Sequence, residues 1–560
     1  MRGLRLILIF LFSGFVSLSA QNSVKNFPTN DFRNPLGITN FLAGNFGELR
    51  NNHFHSGIDI KTNSKEGYEV FAAADGYITR INVSSRGYGN AIYISHPNGY
   101  TTVYAHLQKF NEKIEAYVRL YQYKNEKFEV EIHPGNREIP VRIGDLIAFS
   151  GNSGSSSGPH LHFEIRDTKT EEPLNPFLFG LVVPDSSRPL VNGIYVYPID
   201  GNVNGKAGRQ AISNGASVSA SGKIGFGIKT YDKQNGAENL NGTYKISLSI
   251  DDKPYFTYTA DRLNWDNMRG VNRLIDYKDR MENNSWVYQL FQPKGNPINM
   301  FSDVVNDGVL NVEEGKNYNI KITAEDFAGN KNTVSLRIIG KKPPENKNAS
   351  SDNIIFEWDK NNHFKEDGLE ITMPKGVLFD DIEFYFKKNE NGKYTVHDWN
   401  VPVLSYYTIS IDPSGIPADK LSKLVIKREY KQSGVWKSNF TAADYKNGKA
   451  VAKVRDFGVF SVVVDDTNPV ITPVNIKENA KFTGNNAIIR FTIRDSQSGI
   501  KDFSARIDGK WILTNYDAKT NSLTINLSRE GITNGKHQLE LKVTDEKDNT
   551  ATYSANFTKE

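Results

Sequence analysis

The run Gly158-Pro159-His160-Leu161-His162-Phe163-Glu164-Ile165-Arg166 decides how the N-terminal part of this chain is read. On a β-strand, residues i and i+2 face the same way. His160 and His162 would therefore project side by side, with Leu161 pointing into a core, and Phe163-Glu164-Ile165-Arg166 continues the strand. The residues leading into His160, 151–159, are Gly, Asn, Ser and Pro. Such a loop can approach a site closely and leave room for substrate. Upstream, short apolar runs at 68–74, 77–83, 91–95 and 101–105 are separated by Asp75-Gly76, Gly87-Tyr88-Gly89-Asn90 and Pro97-Asn98-Gly99. Turn residues at that spacing predict an antiparallel sheet built from hairpins.

The ten histidines are unevenly placed: seven lie in the first 162 residues, and only His363, His397 and His537 occupy the rest. Within the first group, His55-Ser56-Gly57-Ile58-Asp59 puts an imidazole and a carboxylate four apart, on one face of an extended segment. With one imidazole of the HLH run they make a His₂Asp set. Two nitrogens and one oxygen, with a fourth position open, is the composition of a catalytic zinc site, whereas a structural site is closed by a fourth protein ligand. Tyr104-Ala105-His106-Leu107 lies between the two motifs.

Together HSGID, YAHL and GPHLHFE resemble the three motifs of the lysostaphin/LytM-type zinc endopeptidases, which cleave peptide cross-links or stems in peptidoglycan. The resemblance extends to Ala73-Ala74-Asp75-Gly76, Gly89-Asn90 and His96-Pro97-Asn98-Gly99-Tyr100, and spans roughly residues 45–167. It implies one Zn²⁺ per chain, held by His55, Asp59 and His162. It implies that His106 and His160 are not ligands but flank the reacting water and carbonyl as catalytic groups. His53 forms a second HxH with His55, and the HSGID match favours His55 as the ligand. His96 fits a turn, and His133 falls in a stretch, 109–141, that is longer than the family pattern. A strand is expected there at 127–132. The stretch would border the substrate groove, so it bears on specificity and not on the ligands.

Composition narrows the class. Arg2 and Arg5, the apolar run 6–16 and the small residues before position 21 read as a signal peptide, 1–20. Removing it lowers the formal charge from +4 to +2, too near neutral for a dedicated nucleic-acid binder. Hydrophobic residues make up 38%, enough for ordinary cores, and no later segment is long and apolar enough to span a membrane. The absence of cysteine excludes disulfides, thiolate zinc sites, a Cys nucleophile and a lipid-modified N-terminal Cys. Any metal must be held by His and carboxylates.

The expected fold class is mainly β: an antiparallel β-sheet peptidase domain at 21–183, then about three β-sandwich-like domains. These are an immunoglobulin-like block at 190–340, a β-rich block at 353–465 and a second immunoglobulin-like block at 470–560. The boundaries are Pro184-Asp185-Ser186-Ser187-Arg188-Pro189, the polar linker 341–352, and Asp465-Asp466-Thr467-Asn468-Pro469. A weak repeat links the second and fourth blocks. Asp232-Lys233-Gln234-Asn235-Gly236 and Asp326-Phe327-Ala328-Gly329-Asn330 correspond to Asp495-Ser496-Gln497-Ser498-Gly499 and Asp545-Glu546-Lys547-Asp548-Asn549. Tryptophans of the tail, such as Trp358, Trp399, Trp436 and Trp511, are expected in cores.

The expected function is that of an exported metalloendopeptidase, periplasmic, envelope-associated or secreted, acting on peptidoglycan as a D,D-endopeptidase. The C-terminal β-domains would place its cleft on the wall or on an envelope partner. The competing expectations are an inactive relative that binds wall or activates another hydrolase, and an adhesin or scaffold. Inactive relatives typically lose ligands, and here all five histidine and aspartate positions are present.

Overall fold

The computed structural model describes residues 27–342, 354–484 and 487–560. The expected signal peptide and most of the 341–352 linker lie outside the described residues. The architecture is mainly β: an N-terminal sheet domain is followed by several β-rich domains. Among the described residues, no helix is long and apolar enough to cross a membrane.

The first sheet runs, edge to edge, Leu42–Gly44, Ile58–Lys61, His160–Asp167, Tyr100–Leu107, Asn90–Ser95, Gly76–Val83 and Val130–Ile132. Alternation explains its two faces. Leu161, Phe163 and Ile165 enter one buried core with Ile58, Ile60 and Tyr104. His160, His162, Glu164 and Arg166 therefore line the opposite face. On that face Ala91, Tyr93, Val103 and Ala105 form a small apolar floor. Register then brings distant residues together: His162 pairs directly with Asp59 on one side and with Ala105 on the other.

The 109–141 stretch departs from expectation. The strand expected over 127–132 is confined to Val130–Ile132, and the stretch before it holds a helix, Glu112–Asn125. Asn111 caps it by accepting the Ile114 N–H at 2.9 Å, and Ile114 and Val118, one turn apart, are buried. Its outer side meets the last block. Arg119 makes a bidentate ion pair with Glu530 at 2.9 and 3.0 Å, Arg529 pairs with Glu115, and Tyr123 stacks edge-on against Trp511 at 5.1 Å.

Three further cores follow. One gathers residues between Ile194 and Ile338 around the long strand pair Leu190–Val203 and Ser217–Tyr231. It also takes in Phe46 and Phe54, from the segment just before His55. The first two blocks thus share that segment. A third core gathers residues between Phe356 and Phe460, within two five-stranded sheets, and a fourth those between Ile476 and Phe557. Trp511 is buried, but Trp436 is 58% exposed, so the expectation of a core tryptophan fails there; it meets Trp399 edge-on at the surface.

Candidate metal centre

Three elements deliver the site. Asp59 and His162 come from adjacent strands in register, and His55 from the segment leading into the first of them. The donor atoms form a small triangle. His55 Nε2 lies 3.0 Å from Asp59 Oδ1 and 3.0 Å from His162 Nδ1, and His162 Nδ1 lies 2.8 Å from Asp59 Oδ1. Ligands on one tetrahedral zinc, with bonds of about 2.0–2.1 Å, stand about 3.3 Å apart. All three residues are buried, and the group could hold a metal ion.

His160 and His106 complete the pocket. His160 Nε2 is buried 3.3 Å from Asp59 Oδ1 and makes no hydrogen bond. The His106 ring stands 4.8 Å from that of His160 and 5.8 Å from that of His162. In a regular strand His106 would point away from the site, because its neighbour Ala105 is paired with His162. A bulge in its own strand, opposite Asn90–Ile92, sets two residues, Ala105 and His106, against Ala91. His106 takes φ 58°, a left-handed conformation rare outside glycine. The bulge turns the imidazole back towards the metal triangle.

A second layer fixes each ring. His55 Nδ1–H donates to the Asn45 carbonyl at 2.7 Å, His160 Nδ1–H to that of Gly158 at 2.8 Å, and His106 Nδ1–H to that of Ser153 at 2.9 Å. Each bond leaves Nε2 as the free lone pair. His162 is reversed: Nε2–H donates to Glu164 Oε1 at 2.8 Å, leaving Nδ1 for the triangle. Glu164 is fully buried and accepts from Tyr88 at 2.6 Å, Ser56 at 2.5 Å and Arg166 Nε at 2.6 Å. The Arg50 guanidinium holds the other Asp59 oxygen, Oδ2.

Charge follows from these contacts. Burial lowers His55 to about 4 against the pull of Asp59. Burial, reinforced by the His162 and His160 imidazoles, lowers His106 to about 3, which leaves the ring neutral near pH 7. Burial alone would lower His162, but hydrogen bonds to Asp59 and Glu164 push it up to about 9. Burial would raise Asp59, yet the surrounding imidazoles hold its carboxyl well below the usual range.

The structure thus brings together His55, Asp59, His106, His160 and His162. It leaves the other histidines apart. His53 is exposed and bonded to the Asn51 carbonyl. His96 is buried between the Asp75 carbonyl and Thr102. His133 is exposed beside Glu131. Sequence reasoning missed Asn45, Arg50, Tyr88 and Glu164. Of these only Glu164 left a signal, being two residues beyond His162 on the same strand face. The close approach of the 151–158 loop is to the Gly87–Gly89 turn. Gly154, at φ +69°, packs so tightly on Gly87 and Gly89 that a Cβ would stand 2.3 Å from the Gly89 nitrogen.

A model of peptidase family M23 matches residues 53–123, and a Zu5-like domain model matches residues 353–465. The DD-carboxypeptidase/endopeptidase Mpg of Neisseria meningitidis is 37% identical over 134 residues, covering 24% of each chain. The murein hydrolase activator NlpD of Salmonella dublin is 33% identical over 150 residues, covering 27% of this chain and 30% of that one. The solved catalytic domain of lysostaphin from Staphylococcus simulans is 24% identical, covering 25% of this chain and 91% of that one, at TM-score 0.19. The chain thus spans about a quarter to a third of the length of these two curated relatives. The family match takes in His55, Asp59 and His106, and the strand carrying His160 and His162 lies beyond it. This chain carries a peptidase family M23 domain, with a Zu5-like domain further along it.

Proposed function

We propose that this chain is an exported, envelope-facing, zinc-dependent endopeptidase that hydrolyses peptide cross-links or stems of peptidoglycan, acting as a D,D-endopeptidase. The observation that carries the proposal is the convergence of His55 Nε2, Asp59 Oδ1 and His162 Nδ1, with the orphaned His160 Nε2 beside them. His55, Asp59 and His162 would hold the metal. When bound there, zinc supplies Lewis-acid polarisation of a carbonyl and activation of water. Arg50 and Glu164 hold Asp59 and His162 in position, and Asn45 does the same for His55.

The remaining work falls to the two free imidazoles. His106, neutral and tethered at Nδ1, accepts a proton at Nε2 from the attacking water and returns it to the leaving amine. His160, tethered through Nδ1–H to the Gly158 carbonyl, stabilises the oxygen on which charge develops by donating from Nε2 when the ring is in its protonated, imidazolium form. Bond choice is supported by the relative in Neisseria meningitidis, whose name gives it DD-carboxypeptidase and endopeptidase activity. A purely activating role, as the name of the Salmonella relative states for that protein, is disfavoured by the intact constellation.

The test is digestion of purified dimeric muropeptides by the zinc-loaded full chain, followed by mass spectrometry. Release of monomers is expected. Cleavage of pentaglycine but not of dimers would move the enzyme to the glycyl-glycine class, and no cleavage of either would leave the activator reading in its place.

A further inference from the structure

A second acidic cluster lies at the junction behind the M23 domain. Asp185 belongs to the connecting segment, Asp232 follows the strand Ser217–Tyr231, and Asp326 follows the strand Asn317–Glu325. One carboxylate oxygen of each lies within 4.8 Å of the others. Asp232 is 7% exposed, and its Oδ1 has no hydrogen-bond partner. Across an antiparallel bridge stands Asn241, joined to it by backbone hydrogen bonds of 2.9 and 2.8 Å. Asn241 is 2% exposed, and its Oδ1 is also without a partner. Asp185, Asp232 and Asn241 line one cavity of about 300 Å³. Asp232 and Asp326 are buried and Asp185 is half-buried, and carboxylates this close repel one another unless a cation or a shared proton stands between them.

The last block provides an internal control. Its equivalent triad, Asp465, Asp495 and Asp545, is drawn together in the same way. There all three carboxylates are taken up locally, as Asp326 is in the junction triad by the Asn330 N–H and side-chain amide, and Asp185 by the Ser187 N–H; Asp232 is the member that differs. Asp465 accepts from Thr467 and the Ser498 N–H, Asp495 from the Gln497 and Gly499 N–H groups, and Asp545 from the Asn549 N–H and side-chain amide. None of those carboxylates has an orphaned buried oxygen among the described residues. Turn chemistry accounts for the second triad, but it does not account for Asp232 Oδ1 and Asn241 Oδ1.

We propose that Asp185, Asp232, Asp326 and Asn241 bind a hard divalent cation of the calcium class. The donors are all oxygens, carboxylate and amide, without nitrogen or sulfur, and the cavity has room for the waters that complete a coordination of about six to eight. The site would act as a clasp. Gly242, next to Asn241, exchanges two hydrogen bonds with the Asn45 side chain, at 2.7 and 2.9 Å, and Gln234 binds the Asn40 carbonyl and the Leu42 N–H. Asn45 is the residue whose carbonyl holds His55 Nδ1. A cation ordering 232–242 would therefore order the segment that presents a ligand of the metal centre.

The experiment is calorimetric titration of the zinc-loaded full chain with calcium chloride, in parallel with thermal unfolding. One calcium per chain and a rise in Tm are expected. Asp232→Asn and Asn241→Ala should each weaken calcium binding at least tenfold and abolish the rise. Asp495→Asn, at the control triad, should leave both unchanged. Asp232→Asn loses a buried charge, so its calcium-free Tm should equal or exceed that of the parent, which shows that the variant folds. The proposal is overturned if the parent binds no calcium at millimolar concentration, if either junction variant binds as the parent does, or if magnesium binds more tightly than calcium. These outcomes are independent of whether the chain hydrolyses peptidoglycan.

Discussion

The triad His55, Asp59 and His162 and the triad Asp185, Asp232 and Asp326 differ in their donors and in what stands behind them. At His55, Asp59 and His162 every non-ligating atom is tied: Asn45, Glu164 and Arg50 fix ring tautomers and the second carboxylate oxygen. At Asp185, Asp232 and Asp326 the donors are oxygens alone, and two buried oxygen atoms, one of them on Asn241, are left untied. The first arrangement is prepared for a borderline-soft ion in a fixed geometry, the second for a hard ion that tolerates irregular ligands. Burial alone does not define a cation site; the donor type and the hydrogen bonds behind it do.

The largest effect should come from removing a shared corner of the first triangle. Asp59→Ala is expected to lose zinc and peptidase activity together, as measured by metal analysis and muropeptide release, while the calcium-dependent rise in Tm persists. Loss of both would show that the two sites are one unit. Next in size is pH. His162 in the metal-free protein is pushed up to about 9, so below that pH a proton competes for Nδ1. Zinc affinity should therefore rise by up to about tenfold per pH unit from 6 towards 9, a slope that competition titration with a chelator would measure. An affinity flat with pH would mean that His162 is already neutral.

Smaller effects separate ligands from proton handlers. His106→Ala and His160→Ala should each retain zinc and lower kcat by about 10²-fold or more. Zinc loss on either change, with retention in His55→Ala, would reverse the assignment. Glu164→Gln should weaken zinc by about 10- to 100-fold, since it acts only through His162. The smallest change is expected from His53→Ala: this side chain is exposed and bonded only to a loop carbonyl, so metal content and turnover should stay at parental values.

Much of the first site was legible because strand periodicity is local. The HxH spacing places His160 and His162 on one face whatever surrounds them, and motif order supplies the partners. The support was not legible. Asn45 acts through its backbone carbonyl, which carries no residue signature. Tyr88 reaches Glu164 from a turn across 76 positions of chain. The helix Glu112–Asn125 was missed because its buried stripe, Ile114 and Val118, is short and the surrounding sequence is polar.

The same division holds for the tail. Repeated Asp-rich turns marked Asp232 with Asp495 and Asp326 with Asp545, and the boundaries at Asp185 and Asp465 stood out by composition. That each boundary aspartate closes a triad with the other two was decided by folding alone. Local sequence determined which residues could ligate, turn or alternate, because those properties depend on neighbours within a few positions. Tertiary structure decided which became sites, because orphaned oxygens, shared cores such as that holding Phe46 and Phe54, and bulges such as that at His106 arise only when distant strands meet in register.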